Sequence, residues 1–113
     1  MQDRRQLRSE SPLNALSLFL SERLRRAGAE ALVVSTSDGL LLSGAGEGDL
    51  ELLAAAAAME AVGQDGRTHL GVDGLRLSHA SVLVDDQRVV VATLGGPHSN
   101  VVGEGVARIL RAA

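Results

Sequence analysis

The stretch DLELLAAAAAMEAVG, residues 49–63, contains five consecutive alanines, and after Asp49 only Glu51 and Glu60 interrupt its apolar character. Asp49, or Gly48 before it, is a suitable N-cap, and Gly63 is a suitable C-terminal stop. The stretch therefore predicts a helix that ends near Val62. Because successive residues in a helix are rotated by about 100°, the apolar side chains fall on two faces instead of one.

The two apolar faces of this alanine-rich helix need two different surfaces to pack on. One face can cover the protein's own sheet, and it contains Leu50, Leu53, Ala54, Ala57 and Ala61. The other needs a second covering surface, because leaving a large side chain such as Leu52 or Met59 in water forgoes about 1.5–3 kcal/mol. We therefore predict an interface with another chain, formed by Leu52, Ala55, Ala56, Met59 and Val62 with Glu51 and Glu60 on the two borders. The alternatives are a helix fully buried in the monomer, or alanine used for its helix propensity.

The residues before this helix predict a helix and a β-hairpin. Leucines recur at helical spacing, with Ser11 as N-cap and Pro12 at the first helical position, so we expect a helix over residues 12–27. Two β-rich runs follow, ALVVST at residues 31–36 and LLLS at residues 40–43, and Asp38-Gly39 between them is a strong hairpin signal. Residues 44–48, GAGEG, are expected to form a loop.

The residues after the alanine-rich helix predict three strands and a last helix. A short strand is possible over residues 67–72, followed by a turn at Asp73-Gly74 and a strand over residues 75–84. Asp85-Asp86-Gln87 turns the chain into a strand over residues 88–94, and Ser99 or Asn100 caps a helix that continues to about Leu110. The predicted order is αββαβββα, with a flexible tail at residues 1–10 and one domain over residues 11–113.

The composition excludes several classes of function. Hydrophobic residues make up 45 % of the 113 residues but Phe19 is the only aromatic one, which disfavours a nucleic-acid binder that stacks bases. The net charge is −3, and the chain lacks lysine and cysteine, so it has no Schiff-base lysine, disulfide or thiolate chemistry. No apolar run approaches a transmembrane length and no signal peptide pattern is present, so we expect a cytoplasmic protein.

The sequence contains no recognisable catalytic, cofactor or metal site. His69, His79 and His98 are not spaced as metal ligands, and each is more simply a structural or solvent-facing residue. The GAGEG loop does not fit the dinucleotide pattern, and Glu47 would repel a phosphate. Amides near His98 could bind an anion, but strand termination and helix capping explain those glycines more simply. Asp85-Asp86 is a typical turn pair. We expect a protein that is not an enzyme and needs no cofactor or metal.

These elements resemble those of the roadblock/dynein light chain family. ALVVSTSDGLLLSGAGEGDLELLAAAAAMEAVG is similar to the family's strand, turn, strand and alanine-rich helix, and VLVDDQRVVVATL before a last helix is similar to its closing hairpin. The resemblance implies an α/β fold of the α+β sandwich type, roadblock/profilin-like, with a central antiparallel five-stranded sheet. It places the second helix on one face of that sheet and the terminal helices on the other.

The resemblance also implies a function. Members of the family are dimeric scaffolds or regulators of Ras-like small GTPases, and some activate GTP hydrolysis without contributing a catalytic residue. The implied dimer pairs the second helix, and also the third strand, with a second copy or with a paralogue of the same family. An alternative function is that of a profilin-like or PAS-like small-molecule sensor or adaptor, which requires an internal pocket with a few convergent polar groups.

Overall fold

The computed structural model describes residues 4–66, 77–95 and 100–111. Three helices and four strands make up these residues, in the order α1 (Arg4–Ala27), β1 (Ala31–Thr36), β2 (Leu41–Gly46), α2 (Leu50–Ala61), β3 (Leu77–Val84), β4 (Gln87–Leu94) and α3 (Asn100–Arg111).

Helix α1 begins at Arg4, so the predicted start near residue 12 is wrong. Residues 4–8 are Arg, Arg, Gln, Leu and Arg, all good helix formers, and their propensity extends the helix through Pro12. Proline inside a helix removes one backbone hydrogen bond, whereas proline in the first turn removes none. Ser11-Pro12 is therefore a local signal for a helix start. That residues 1–10 form a flexible tail stays a prediction.

The first hairpin forms as predicted, but its second strand is longer. Strand β2 runs through Gly46, so the loop expected from residue 44 begins later. Gly44 pairs with Val33 and Gly46 with Ala31. A Cβ atom on Gly46 would lie only 2.3 Å from the carbonyl oxygen of Glu30, so the close approach of the two backbones requires glycine there.

The four strands form one antiparallel sheet in the order β2-β1-β4-β3. Strand β1 is central and pairs with β2 on one side and β4 on the other. The turn between β3 and β4 consists of Asp85 and Asp86, both with positive φ, which is the backbone of a two-residue hairpin turn. The turn predicted at these aspartates is therefore confirmed.

The sheet is covered on both faces, as expected. Alternate residues of β1 and β4 face opposite sides, so that Val33 and Val90 contact α2, whereas Leu32 and Val91 belong to the core beneath α1 and α3. Gly105 of α3 permits the close packing of the two terminal helices, because a Cβ there would lie 2.2 Å from the Phe19 ring. Among the described helices, α2 covers one face and the two terminal helices cover the other, as the resemblance implies.

Several sequence predictions lie outside the described residues. They include the fifth strand over residues 67–72, the turn at Asp73-Gly74, His69 and His98. The described sheet has four strands, and the fifth stays a prediction. Among the described residues, no helix combines the length and the apolar character needed to cross a bilayer.

Candidate interaction surface

Both ends of helix α2 are fixed by local hydrogen bonds. The Asp49 side chain accepts a hydrogen bond from the backbone N–H of Leu52 at 3.1 Å, as an N-cap does. At the other end, the N–H groups of Gly63 and Gln64 donate to the carbonyl oxygens of Glu60 and Met59 at 3.0 and 2.9 Å. Gly63 has a φ of +81°, which is the left-handed conformation that ends many helices. Both predicted caps are therefore confirmed.

The predicted inner face of α2 packs on the sheet. Leu53, Ala54 and Ala57 are buried in one cluster with residues of β1, β3 and β4, and Leu50 and Ala61 pack at its edge. Ala54 and Ala57 are completely buried. Because their side chains are single methyl groups, the helix backbone lies close to the sheet, which explains part of the alanine run.

The chain's own turns cover part of the outer face. A Cβ on Gly39, in the turn between β1 and β2, would lie 3.3 Å from the Cα of Ala55. A Cβ on Gly66 would lie 2.0 Å from the carbonyl oxygen of Ala56, so the chain after α2 folds back over that residue. Ala56 is 0 % exposed, so it is not part of the accessible outer surface of the helix. The close approach of Gly66, which no periodicity in the helix reveals, is the reason.

The remainder of the outer face is open. Leu52 is 37 % exposed and Val62 is 59 % exposed, while Ala55 and Met59 between them are half-buried. We call Leu52, Ala55, Met59 and Val62 the α2 stripe. Glu51 on one border is exposed, and Glu60 on the other is half-buried. The structure therefore places six of the seven predicted residues at or beside one accessible apolar surface.

Sequence reasoning missed one residue beside this surface. Leu40 is 68 % exposed, and it directly follows Gly39, which lies against Ala55. Its backbone N–H donates to Oγ1 of Thr36 at 3.1 Å, which fixes the turn. A leucine immediately after Asp38-Gly39 is unusual for the tip of a hairpin, and that position was the available signal.

The other candidate groups that lie in the described part of the chain do not form a common site. His79 is half-buried in β3, and Asp85 and Asp86 are exposed at their turn. Within the described residues, no group of three or more His, Cys, Asp or Glu side chains is arranged to hold a metal ion. Of the clefts formed by described residues, one lies between β3 and α3 and another beside Glu30 and Glu47, and both open to solvent. Neither provides the enclosed pocket that a small-molecule sensor requires.

Solved structures of MglB share the fold of this chain. A structure of MglB with tetrameric arrangement is 20 % identical, with a TM-score of 0.65, and the match covers 90 % of this chain and 92 % of that one. The gliding protein MglB of Thermus thermophilus is 22 % identical, with a TM-score of 0.60 and coverage of 91 % and 93 %. MglB of Myxococcus xanthus is 16 % identical, with a TM-score of 0.54 and coverage of 88 % and 87 %.

These matches concern the fold. MglB is a protein of the roadblock/LC7 family, so the roadblock-type fold expected from the sequence resemblance is confirmed in its mixed α/β architecture. No family model and no curated protein matches the sequence.

Proposed function

We propose that this protein is a non-catalytic, dimeric scaffold or regulator that binds a Ras-like small GTPase in the cytoplasm. The α2 stripe is the surface through which it contacts another chain. That chain is a second copy, a paralogue of the same fold or the GTPase itself.

The observation that carries this proposal is the exposure of aliphatic side chains on α2. Leu52, Val62 and Leu40, which follows the Gly39 that lies against Ala55, are large apolar residues that remain accessible after the chain has folded and its own turns have covered Ala56. Full burial of such a side chain stabilises a protein by about 1.5–3 kcal/mol, and each of these side chains lacks part of that stabilisation while it stays in water. An apolar surface of this kind is typical of a protein–protein interface.

The fold supports the choice of partner. The sequence resembles a family of small-GTPase regulators, and the fold is that of MglB, one of whose solved structures is described as a gliding protein. The aliphatic groups of the stripe can bind a protein surface, but they cannot transfer a proton or attack a phosphorus atom. An effect on GTP hydrolysis that is exerted through the stripe would therefore come from changing the conformation of the GTPase.

Titration against the small GTPases of the same genome tests the proposal. Each GTPase is loaded with GDP or with a non-hydrolysable GTP analogue, and its binding to the wild-type chain is measured by calorimetry. Hydrolysis of GTP is then followed with and without the chain, and sedimentation gives the oligomeric state.

Two leucines provide a matched pair of variants. Leu52→Glu places a charge in the α2 stripe, and Leu18→Glu makes the same change at a 73 % exposed position of α1, on the opposite side of the sheet. We expect Leu52→Glu to abolish binding and Leu18→Glu to preserve it. Equal binding by both variants would show that the stripe is not the contact surface.

A further inference from the structure

A cleft lies between strand β3 and helix α3, on the side of the sheet away from α2. Val82 and Leu83 line its strand side, and Ala107, Arg108 and Arg111 line its helix side. Ala107 is buried and Val82 is half-buried, whereas Leu83, near the end of an outermost strand of the described sheet, is 58 % exposed. Both arginines are exposed. The cleft therefore combines an apolar floor with two guanidinium groups.

The two arginines of the cleft have no carboxylate partner within the described residues. No ion pair among these residues involves Arg108 or Arg111. Glu104 precedes Arg108 by one turn of α3 and also lines the cleft, but the two do not form an ion pair. The arginines in the last turn of α1, by contrast, both pair with Glu22 of their own helix. The positive charge of the cleft is therefore available to an acidic ligand.

A hydrogen bond holds one of these guanidinium groups in place. Nη2 of Arg111 donates to the carbonyl oxygen of Leu83 at 2.6 Å. A guanidinium group has five N–H donors in a planar arrangement, so further donors remain for a ligand. A side chain that is ordered before binding loses less conformational entropy when the ligand arrives. The nearby turn aspartates, Asp85 and Asp86, are exposed and form no ion pair with Arg111.

We propose that this cleft binds an extended acidic segment of a partner protein, in which aspartate or glutamate alternates with aliphatic residues. Its carboxylates accept hydrogen bonds from Arg108 and Arg111, which lie three residues apart on one face of α3. An aliphatic side chain of the segment covers Val82 and Leu83. The cleft is open to solvent, which suits a peptide segment better than an enclosed small molecule. The site is separate from the α2 stripe and does not depend on the proposed GTPase partner.

The charges of the chain favour a peptide over a nucleic acid as the occupant. Binding to a nucleic-acid backbone requires several basic side chains that neutralise successive phosphates. The cleft has two arginines and also contains Glu104, in a chain of net charge −3. A few carboxylates are sufficient to match the two guanidinium groups, and the apolar floor provides a contact that phosphates cannot use.

Two matched pairs of arginines test the proposal. One double variant, Arg108→Gln with Arg111→Gln, removes two charges from the last turn of α3, and the other, Arg25→Gln with Arg26→Gln, removes two from the last turn of α1. Both therefore lose the same net charge and a similar interaction with a helix dipole. Thermal unfolding confirms that both variants fold.

The probe is a short capped peptide of alternating leucine and aspartate, and the same peptide with asparagine in place of aspartate is the uncharged control. Binding is measured by titration at low salt and at about 0.5 M salt, where the Debye length is only a few ångströms. Amide chemical shifts locate the bound peptide on the protein. Inorganic phosphate is titrated separately, and sedimentation gives the oligomeric state of each variant.

We expect the aspartate peptide to shift the amide signals of Val82, Leu83 and Ala107. It should bind the α3 double variant about tenfold more weakly than the wild type, because two charge-assisted hydrogen-bonding groups are lost. The α1 double variant should bind like the wild type, high salt should reduce the difference, and the asparagine peptide should not bind.

Equal binding by the two double variants, equal binding of the two peptides, or no shift at the cleft would overturn the proposal. Inorganic phosphate that binds as tightly as the aspartate peptide would also overturn it, since the cleft would then be a site for free anions. If the α3 double variant instead changes the self-association of the protein, a second copy occupies the cleft and the proposed partner is wrong.

Discussion

Two adjacent leucines of α2 allow a direct test of the two-faced helix. Leu53 is 3 % exposed and packs against the sheet, whereas Leu52 is 37 % exposed on the α2 stripe. The same substitution, to alanine, removes the same atoms from one helix at neighbouring positions. Any difference in the free energy of unfolding therefore reports which face each side chain occupies.

The magnitudes follow from burial. Leu53→Ala leaves a cavity between α2 and the sheet, and we expect a loss of about 2–5 kcal/mol. At Leu52 the removed atoms are already partly hydrated and solvent fills the space, so the expected loss in the monomer is about 1–1.5 kcal/mol. A bound partner that covers Leu52 would raise that loss, since binding to the native state alone adds to the apparent stability.

Urea unfolding of both variants and the wild type, at several protein concentrations, measures these losses. For Leu53→Ala we expect a loss that does not change with concentration. If a second copy covers the stripe, the loss for Leu52→Ala increases with concentration; if only the GTPase does, it increases when the GTPase is added. Equal losses for the two variants under all conditions would refute the assignment of Leu52 to an open face.

Three further substitutions test local features of the structure. Asp49→Ala removes the N-cap of α2 and should lower the free energy of unfolding by about 1 kcal/mol. Asp49→Asn keeps a capping side chain and should lower it much less. Equal losses for the two variants would mean that the loss does not come from the cap. Gly66→Ala forces a Cβ against the carbonyl oxygen of Ala56 and should cost about 1–3 kcal/mol, visible as a lower urea midpoint. An unchanged midpoint would contradict the packing of this segment on α2. Thr93→Val should stabilise the protein by about 1 kcal/mol and raise its melting temperature, because Thr93 is 1 % exposed and its hydroxyl has no hydrogen-bond partner among the described residues. A lower melting temperature would indicate that the hydroxyl is satisfied.

The limits of α2 and the two hairpin turns at Asp38-Gly39 and Asp85-Asp86 were predictable because their causes are local. A capping side chain, a glycine in the left-handed conformation and a tight turn each depend on a few neighbouring residues. Periodicity alone did not distinguish the side of α2 that packs on the sheet, since each of its two faces carries five apolar residues at helical spacing.

Strand β2 and helix α1 show where local signals were insufficient. Gly44 and Gly46 have low strand propensity, but their pairing with Val33 and Ala31 places them in the sheet, and only the neighbouring backbone shows why glycine is needed. The start of α1 was predicted too late because Pro12 is a local signal that the surrounding helix formers override.

The sequence by itself determined that α2 has two apolar faces, because helical periodicity depends only on the order of residues. Only the tertiary structure decided how much of the outer face remains open. It brought Gly39 against Ala55 and Gly66 against Ala56, thereby removing Ala56 from the surface, and it left Leu40, the residue after Gly39, exposed. These contacts join segments that are distant along the chain, so no pattern within the helix contains them. The accessible stripe of Leu52, Ala55, Met59 and Val62 is therefore a product of the packing around the helix as well as of its sequence.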